Sequence, residues 1–374
     1  MSRKPVRAKA AKKSASRKSK RPALKPVRIL VVGTGRMAAH HVKSFKSIPG
    51  VSVVGGVDVD AARLAKFCKT HKIAQKFTSL DEALAWGEFD AVVNVTPDAL
   101  HYPTTMKIIA AGKHILCEKP LAVSYPDAMQ MTEAAEAANL VAMVNLSYRN
   151  VAEIHAVRAL VRSGKIGAVK HIEASYLQSW LVSKAWGNWR TESAWLWRLS
   201  TAHGSNGVLG DVGVHILDFT VFGAGLDINR VYCRHKPFDK APENRIGDYV
   251  LDANDSVTMA VEFANGALGV VHATRWATGN LNSLKLRIFG DRGAVEVEHR
   301  VDGTTLRACL GRDVEKAVWR KLKAPKVINN HQSFIEAVRL GAPREPSFRH
   351  AAMLQRVIDL GSVSNADHLE HALA

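Results

Sequence analysis

The most constraining feature of the chain is the junction at residues 27–38, where the run VRILVV passes directly into Gly33-Thr34-Gly35-Arg36-Met37-Ala38. An unbroken apolar hexamer suits a strand buried on both faces, as in a parallel sheet covered by helices. The G-x-G-x-x-A pattern behind it suits a tight turn that opens a helix. Gly33 permits the turn, Gly35 lets the backbone approach a pyrophosphate, and Ala38 is small enough for close helix–strand packing. Thr34, Arg36 and Met37 fill the same turn, whose free N–H groups at the helix start suit phosphate binding.

The alternation continues downstream. Apolar runs at 51–57, 89–95, 113–117 and 140–146 are separated by helically spaced segments near 36–47, 59–70, 79–86, 99–111 and 124–138. This predicts a parallel sheet with helices on both faces and right-handed crossovers. After about residue 150 the texture changes to a helix near 151–163 and a strand near 168–177. Further strands are predicted near 256–263, 267–276, 284–289 and 293–297, with turns such as Asn265-Gly266 and Asp291-Arg292-Gly293 that favour antiparallel hairpins. The predicted fold class is α/β. A Rossmann domain with a parallel sheet spans 27–148, and an α/β domain with a large, mostly antiparallel open sheet spans 149–374. The second domain is expected to bind substrate and to oligomerise as a dimer or tetramer.

Composition narrows the class. The chain has 374 residues, enough for two cores at roughly 150 residues each. No run approaches the ~20 apolar residues of a membrane span. Cys68, Cys117, Cys233 and Cys309 form no close pair, which argues against a disulfide scaffold or a zinc site and suits the cytoplasm. The net charge of +18 is concentrated: residues 1–28 hold twelve of the 52 Lys and Arg, and the first carboxylate of the chain is Asp58. Residues 1–26 read as a disordered basic tail, with nucleic acid only a weak partner through it.

Asp58 closes the second strand, 23 residues after Gly35. A carboxylate there accepts hydrogen bonds from a dinucleotide ribose and repels a 2′-phosphate, so NAD is expected over NADP. The same residue could instead cap the helix that follows. Thr96, Pro97 and His101 lie in the N-V-T-P-D-A-L-H segment at the end of the fourth strand, where ligands bind in open α/β sheets.

Gly112-Lys113-His114-Ile115-Leu116-Cys117-Glu118-Lys119-Pro120 follows the fourth helix-like segment. With the fingerprint, the Glu118-Lys119-Pro120 triplet resembles the Gfo/Idh/MocA family of NAD(P)-dependent oxidoreductases. A second element resembles it too: Gly207-Val208-Leu209-Gly210 leads into Asp211-Val212-Gly213-Val214-His215. On a regular helix Asp211, His215 and Asp218 share one face, and a carboxylate beside an imidazole suits a general base near neutral pH.

The resemblance implies that Lys119, Asp211 and His215 are catalytic. Lys119 would stabilise the developing alkoxide, His215 would move the hydroxyl proton, and Asp211 would orient substrate or His215. Glu118 and Lys119 would also border the cofactor. No metal is required. One departure stands out: many relatives carry two arginines and a phenylalanine where this chain has Ser147-Tyr148-Arg149-Asn150. The other is an aromatic segment, with five of eight tryptophans within 180–197. Trp195, Trp197 and Arg198 are candidates for a sugar-binding wall, alongside Lys119, Asp211 and His215. The same rings equally suit the packing of a long loop or a subunit interface, and Arg275-Trp276 shares that ambiguity.

The expected activity is NAD-dependent hydride transfer at a secondary hydroxyl of a sugar or polyol. Two alternatives stay open: an NAD-dependent glycoside hydrolase of the same superfamily, and a non-catalytic dinucleotide sensor with a nucleic-acid-binding tail.

Overall fold

The computed structural model describes residues 24–373, so the expectation for the basic tail falls largely outside the described residues. The first sheet is built from β1 (Val27–Val32), β2 (Val51–Val57), β3 (Gln75–Phe77), β4 (Ala91–Asn94), β5 (His114–Cys117) and β6 (Ala142–Val144). Its order is β3-β2-β1-β4-β5-β6, and each adjacent pair is parallel. The connecting helices are α1 (Arg36–Lys46), α2 (Ala61–His71), α3 (Leu80–Trp86), α4 (His101–Ala110) and α5 (Tyr125–Ala137). Five of the six strands were legible as apolar runs. β3 was not, because a three-residue edge strand reading Gln-Lys-Phe buries too little to leave a pattern.

The second half contains α6 (Ala152–Arg162), β7 (Val169–Gln178), α7 (Ser193–Leu196), α8 (Val214–Ala224), β8 (Ile228–Lys236) and a two-stranded ribbon of β9 (Arg245–Ile246) and β10 (Tyr249–Val250). It continues with β11 (Ser256–Phe263), β12 (Leu268–Thr274), β13 (Asn282–Gly290), β14 (Gly293–Arg300), β15 (Gly303–Leu310) and β16 (Arg320–Lys321). The chain closes with α9 (Asn330–Leu340), α10 (Phe348–Asp367) and β17 (His371–Ala372). Nine strands form one sheet in the order β16-β15-β14-β13-β7-β12-β11-β8-β17. The pairs are antiparallel except β12 with β7, which is parallel.

α6, α8 and α10 pack on one face of this sheet. Every residue of α8 is buried, which explains a helix that is apolar all round. Gly223 lets it lie close, since a Cβ there would stand 2.6 Å from Leu286 and 2.8 Å from Ile154. The opposite face carries exposed Leu268 and Val270.

The division at residue 149 does not describe α9. Phe334, Ile335, Ala337 and Val338 pack with Val27, Ile29, Val42 and Phe45 in the core of the first sheet. A helix that begins 186 residues after the last Rossmann strand thus completes their outer layer, which no local pattern announces.

Candidate active site

The ends of β1, β4 and β5 lie side by side at the carboxyl edge of the parallel sheet. Gly33 has φ +87°, and a Cβ there would stand 2.6 Å from the Val95 carbonyl oxygen, so the turn after β1 and the loop after β4 touch only because this residue is glycine. Gly35 differs: a Cβ built on it meets nothing within 4 Å. It opens α1 without any side-chain cap. Exposed Arg36 and Met37 follow it in the first turn. An open, uncapped helix start of this kind fits a dinucleotide pyrophosphate.

Asp58 lies just beyond β2 and is only 8% exposed. Its Oδ2 accepts from Thr34 N–H at 2.8 Å, Thr34 Oγ1 at 2.6 Å and Arg63 Nε at 3.0 Å. Its Oδ1 accepts from Asp60 N–H at 3.0 Å and Arg63 Nη2 at 2.6 Å. Burial works against ionisation, but these donors hold the carboxyl well below its usual range. The capping role belongs to Asp60, whose side chain accepts from Arg63 N–H at the start of α2.

His101 was expected to touch the cofactor, and the structure corrects this. It is fully buried, with Nδ1 at 2.7 Å from the Pro120 carbonyl and Nε2 at 2.9 Å from the Thr96 carbonyl. Carbonyls only accept, so both ring nitrogens must donate and the ring is an imidazolium. Burial opposes that charge, but Cys117, the Asp98 carboxylate and the Pro120 carbonyl outweigh it and raise His101 to about 9. The residue clamps the β4 loop to the β5 loop. Exposed Pro97 and half-buried Thr96 form the surface of that loop.

Glu118 is likewise a buried support, 9% exposed. Its Oε1 accepts from His41 Nε2 at 2.7 Å and Asn145 Nδ2 at 2.8 Å. His331 Nε2 on α9 lies 3.0 Å from His41 Nδ1, so one proton is shared between the two rings. Burial opposes the ionised carboxyl, yet His41 and Asn145 bring Glu118 down to about 2.

Lys119 points to the second domain. Its Nζ donates to Asp211 Oδ1 at 2.7 Å and to the Asp211 carbonyl at 3.1 Å. Burial would lower its pKa, and Asp211 reverses this, so the ammonium persists. Asp211 also accepts from Arg275 Nη2 at 3.1 Å, with Arg198 Nε 3.9 Å away. Burial disfavours its charge, but Lys119, Arg275 and Arg198 together hold it far below the carboxylate range. Arg275 directly follows β12, is fully buried and lies over the Trp180 ring. Sequence reasoning left it ambiguous, since a lone Arg-Trp pair names no partner 64 residues upstream.

The expected pairing of His215 with a neighbouring carboxylate does not form, since Asp211 and Asp218 bond to other partners. Residues Leu209–Gly213 make a π-helical turn, and the Asp211 carboxylate is engaged by Lys119 and Arg275 rather than by His215. Asp218 is 1% exposed and belongs to another cluster, accepting from Arg149 Nε at 2.8 Å and His350 Nε2 at 2.7 Å. The single arginine of the Ser147–Asn150 segment is therefore part of a buried ion pair. His215 is 8% exposed, and its Nδ1 has no hydrogen-bond partner among the described residues. Burial and the Lys119 ammonium lower its pKa to about 4. The imidazole is thus neutral at neutral pH, without the raised basicity expected of a carboxylate-paired ring.

Tyr148 meets His215 edge-on with ring centroids 5.1 Å apart. Its hydroxyl lies 2.5 Å from that of Tyr176 and accepts from Asn282 Nδ2 at 2.9 Å. Only packing brings these three residues together, from a loop and two strands.

Of the tryptophans, Trp180 and Trp189 are buried with Leu181, Leu196, Leu199 and Leu251 in a small separate core. Packing accounts for those two. Trp195 and Trp197 are half-buried, and the Arg198 guanidinium lies 5.5 Å and 4.5 Å from their ring centroids. That places the two candidate rings beside the Asp211 cluster.

Known proteins share this architecture. Residues 27–146 match the model described as an oxidoreductase family with an NAD-binding Rossmann fold, and residues 154–296 match the GFO/IDH/MocA C-terminal domain. Levoglucosan dehydrogenase of Pseudarthrobacter phenanthrenivorans is 30% identical over 213 residues, which cover 54% of this chain and 53% of that protein. The 1,5-anhydro-D-fructose reductase of Ensifer adhaerens is 32% identical over 191 residues, 50% of this chain and 54% of that protein. The matches span about half the length of these curated relatives. An oxidoreductase domain protein from Kribbella flavida superposes with a TM-score of 0.81 at 28% identity, covering 94% of this chain and 100% of that one. A levoglucosan dehydrogenase in complex with NADH has the same fold, with a TM-score of 0.82 at 21% identity and the same two coverages. With residues 27–146 and 154–296 matched by the family's two domain models, the chain belongs to the Gfo/Idh/MocA family of NAD-binding oxidoreductases.

Proposed function

We propose that the protein transfers a hydride between NAD and a secondary hydroxyl, or the corresponding ketone, of a sugar or polyol. The observation that carries this reading is the Lys119–Asp211 contact at 2.7 Å. It puts a cationic donor from the cofactor-binding sheet against the second domain, beside a buried neutral imidazole. The naming of two relatives as a levoglucosan dehydrogenase and a 1,5-anhydro-D-fructose reductase supports plain oxidation or reduction over elimination.

When bound, NAD supplies the hydride acceptor. The protein's own residues handle the oxygen and its proton. Two of the Lys119 ammonium protons are engaged by Asp211, which fixes its direction and leaves the third for the substrate oxygen. A fixed cation is worth most where negative charge develops, on the alkoxide-like oxygen of the transition state. His215, neutral and with little solvent contact, takes the hydroxyl proton during oxidation and returns it during reduction. Its lowered pKa leaves the ring in the proton-accepting form at neutral pH, the form that oxidation of a hydroxyl requires. Trp195 and Trp197 would offer flat faces to sugar C–H groups, with Arg198 among the ring hydroxyls.

We infer further that the protein self-associates through the open face of the nine-stranded sheet, where Leu268 is 59% exposed. Four free, buried cysteines support a reducing, cytoplasmic setting.

The test is NADH formation or consumption with a panel of sugars and ketoses that includes levoglucosan and 1,5-anhydro-D-fructose. Turnover of at least one, abolished together by Lys119→Ala and His215→Ala, is expected. Tight NADH binding without turnover of any polyol or ketose would leave the sensor alternative standing instead.

A further inference from the structure

The carboxylate expected to hold the cofactor ribose is already saturated by the protein. A carboxylate offers about four lone-pair sites, and Asp58 receives five donated hydrogen bonds. Three come from the rigid frame, from Thr34 and the backbone of Asp60. The other two come from the Arg63 guanidinium, a side-on fork with Nε at 3.0 Å and Nη2 at 2.6 Å. Arg63 is the movable partner: its side chain is 48% exposed, whereas Asp58 and Thr34 are buried. A ribose diol therefore cannot dock on Asp58 until the fork lets go.

From this geometry we infer that Arg63 is a displaceable counter-ion that sets the choice between NADH and NADPH. The inference rests on the dinucleotide reading of this site. With NADH, the ribose hydroxyls replace the fork on Asp58, and the cost of separating the pair lowers the apparent affinity. With NADPH, the guanidinium stays beside Asp58 as the partner of the 2′-phosphate, offsetting repulsion from that carboxylate. A planar fork of N–H donors matches phosphate oxygens as well as it matches a carboxylate. The Asp60 carboxylate, 3.4 Å from Arg63 Nη1, also repels the phosphate and keeps NADPH from being preferred outright. The pocket thus carries one group that penalises the first cofactor and welcomes the second. A bare aspartate at this position would reject NADPH, and the paired one narrows the gap.

The experiment measures dissociation constants for NADH and NADPH by nicotinamide fluorescence, with the full chain and its Arg63→Ala and Arg63→Gln variants. Circular dichroism and thermal unfolding check that each variant folds. The unmodified protein should favour NADH by no more than about tenfold. Both variants should bind NADH at least as tightly as before and NADPH at least tenfold more weakly. If both variants fold and the NADH/NADPH ratio stays within twofold, or both cofactors weaken equally, the inference is overturned while the cofactor site stands. If the unmodified protein binds neither dinucleotide, the dinucleotide reading itself fails and the inference with it.

Discussion

Lys119 and Asp211 are 92 residues apart in the chain, one in the loop after β5 and the other in the turn before α8, and their charged groups meet at 2.7 Å. The contact joins the cofactor-binding edge of the parallel sheet to the π-helical turn before α8. Arg275 approaches the same carboxylate from just beyond β12, so one acidic group gathers cations from two segments of the chain. Removing Lys119 therefore removes the oxygen-facing donor while Asp211 keeps a partner. Lys119→Ala should leave NADH affinity within about threefold and lower kcat by roughly 10²–10³, the usual loss for one preorganised donor to an oxyanion. Stopped-flow binding and steady-state rates separate the two effects.

His215 should titrate far below neutrality, because burial and Lys119 bring it to about 4. Its ring resonances should hold their neutral-form shifts between pH 8 and 5.5 in an NMR titration. The kcat/KM limb for oxidation should fall as pH drops toward 4, and His215→Ala should remove that limb with a ~10²–10⁴-fold lower rate. A titration midpoint near 6.5 for this residue in the free protein contradicts the assignment.

The His101 clamp predicts an alkaline loss of stability. Its folded pKa, about 9, lies above the ordinary 6.5, so the folded state holds the proton more tightly than the unfolded chain. Its stabilisation is complete below pH 6.5 and disappears as pH rises through 9. The gap corresponds to about 3 kcal/mol at most, taking roughly 1.4 kcal/mol for each pH unit. Urea midpoints at pH 6.5 and 9.5 should differ for the unmodified protein, and His101→Ala should remove most of the difference.

Asp218 should behave as part of the scaffold. It is buried against Arg149 and His350, and removing one member of such a pair strands the other charge at a cost of about 3–5 kcal/mol. Asp218→Ala should lower the denaturation midpoint sharply. Whatever fraction stays folded at low temperature should keep near-normal kcat. A selective loss of kcat with unchanged stability would return Asp218 to the catalytic group.

The chain's local chemistry was sufficient for five strands of the first sheet and for its glycine turn. An apolar hexamer followed by Gly33, Gly35 and Ala38 admits few structures, because burial on both faces and a glycine-only turn are satisfied residue by residue. The hairpins over 256–300 were readable for the same reason, each turn lying beside its own strands. Motifs also marked Lys119, Asp211 and His215, although not how they are joined. Packing alone decided the rest. β7 and β12 are parallel neighbours across more than 90 residues, and α9 returns to complete the first core. Lys119 and Arg275 take the Asp211 carboxylate, and two backbone carbonyls make His101 a cation. Periodicity records which face of an element is buried. It carries no information about which charge, carbonyl or ring waits there, since that partner comes from a distant segment and is placed only when the two cores close.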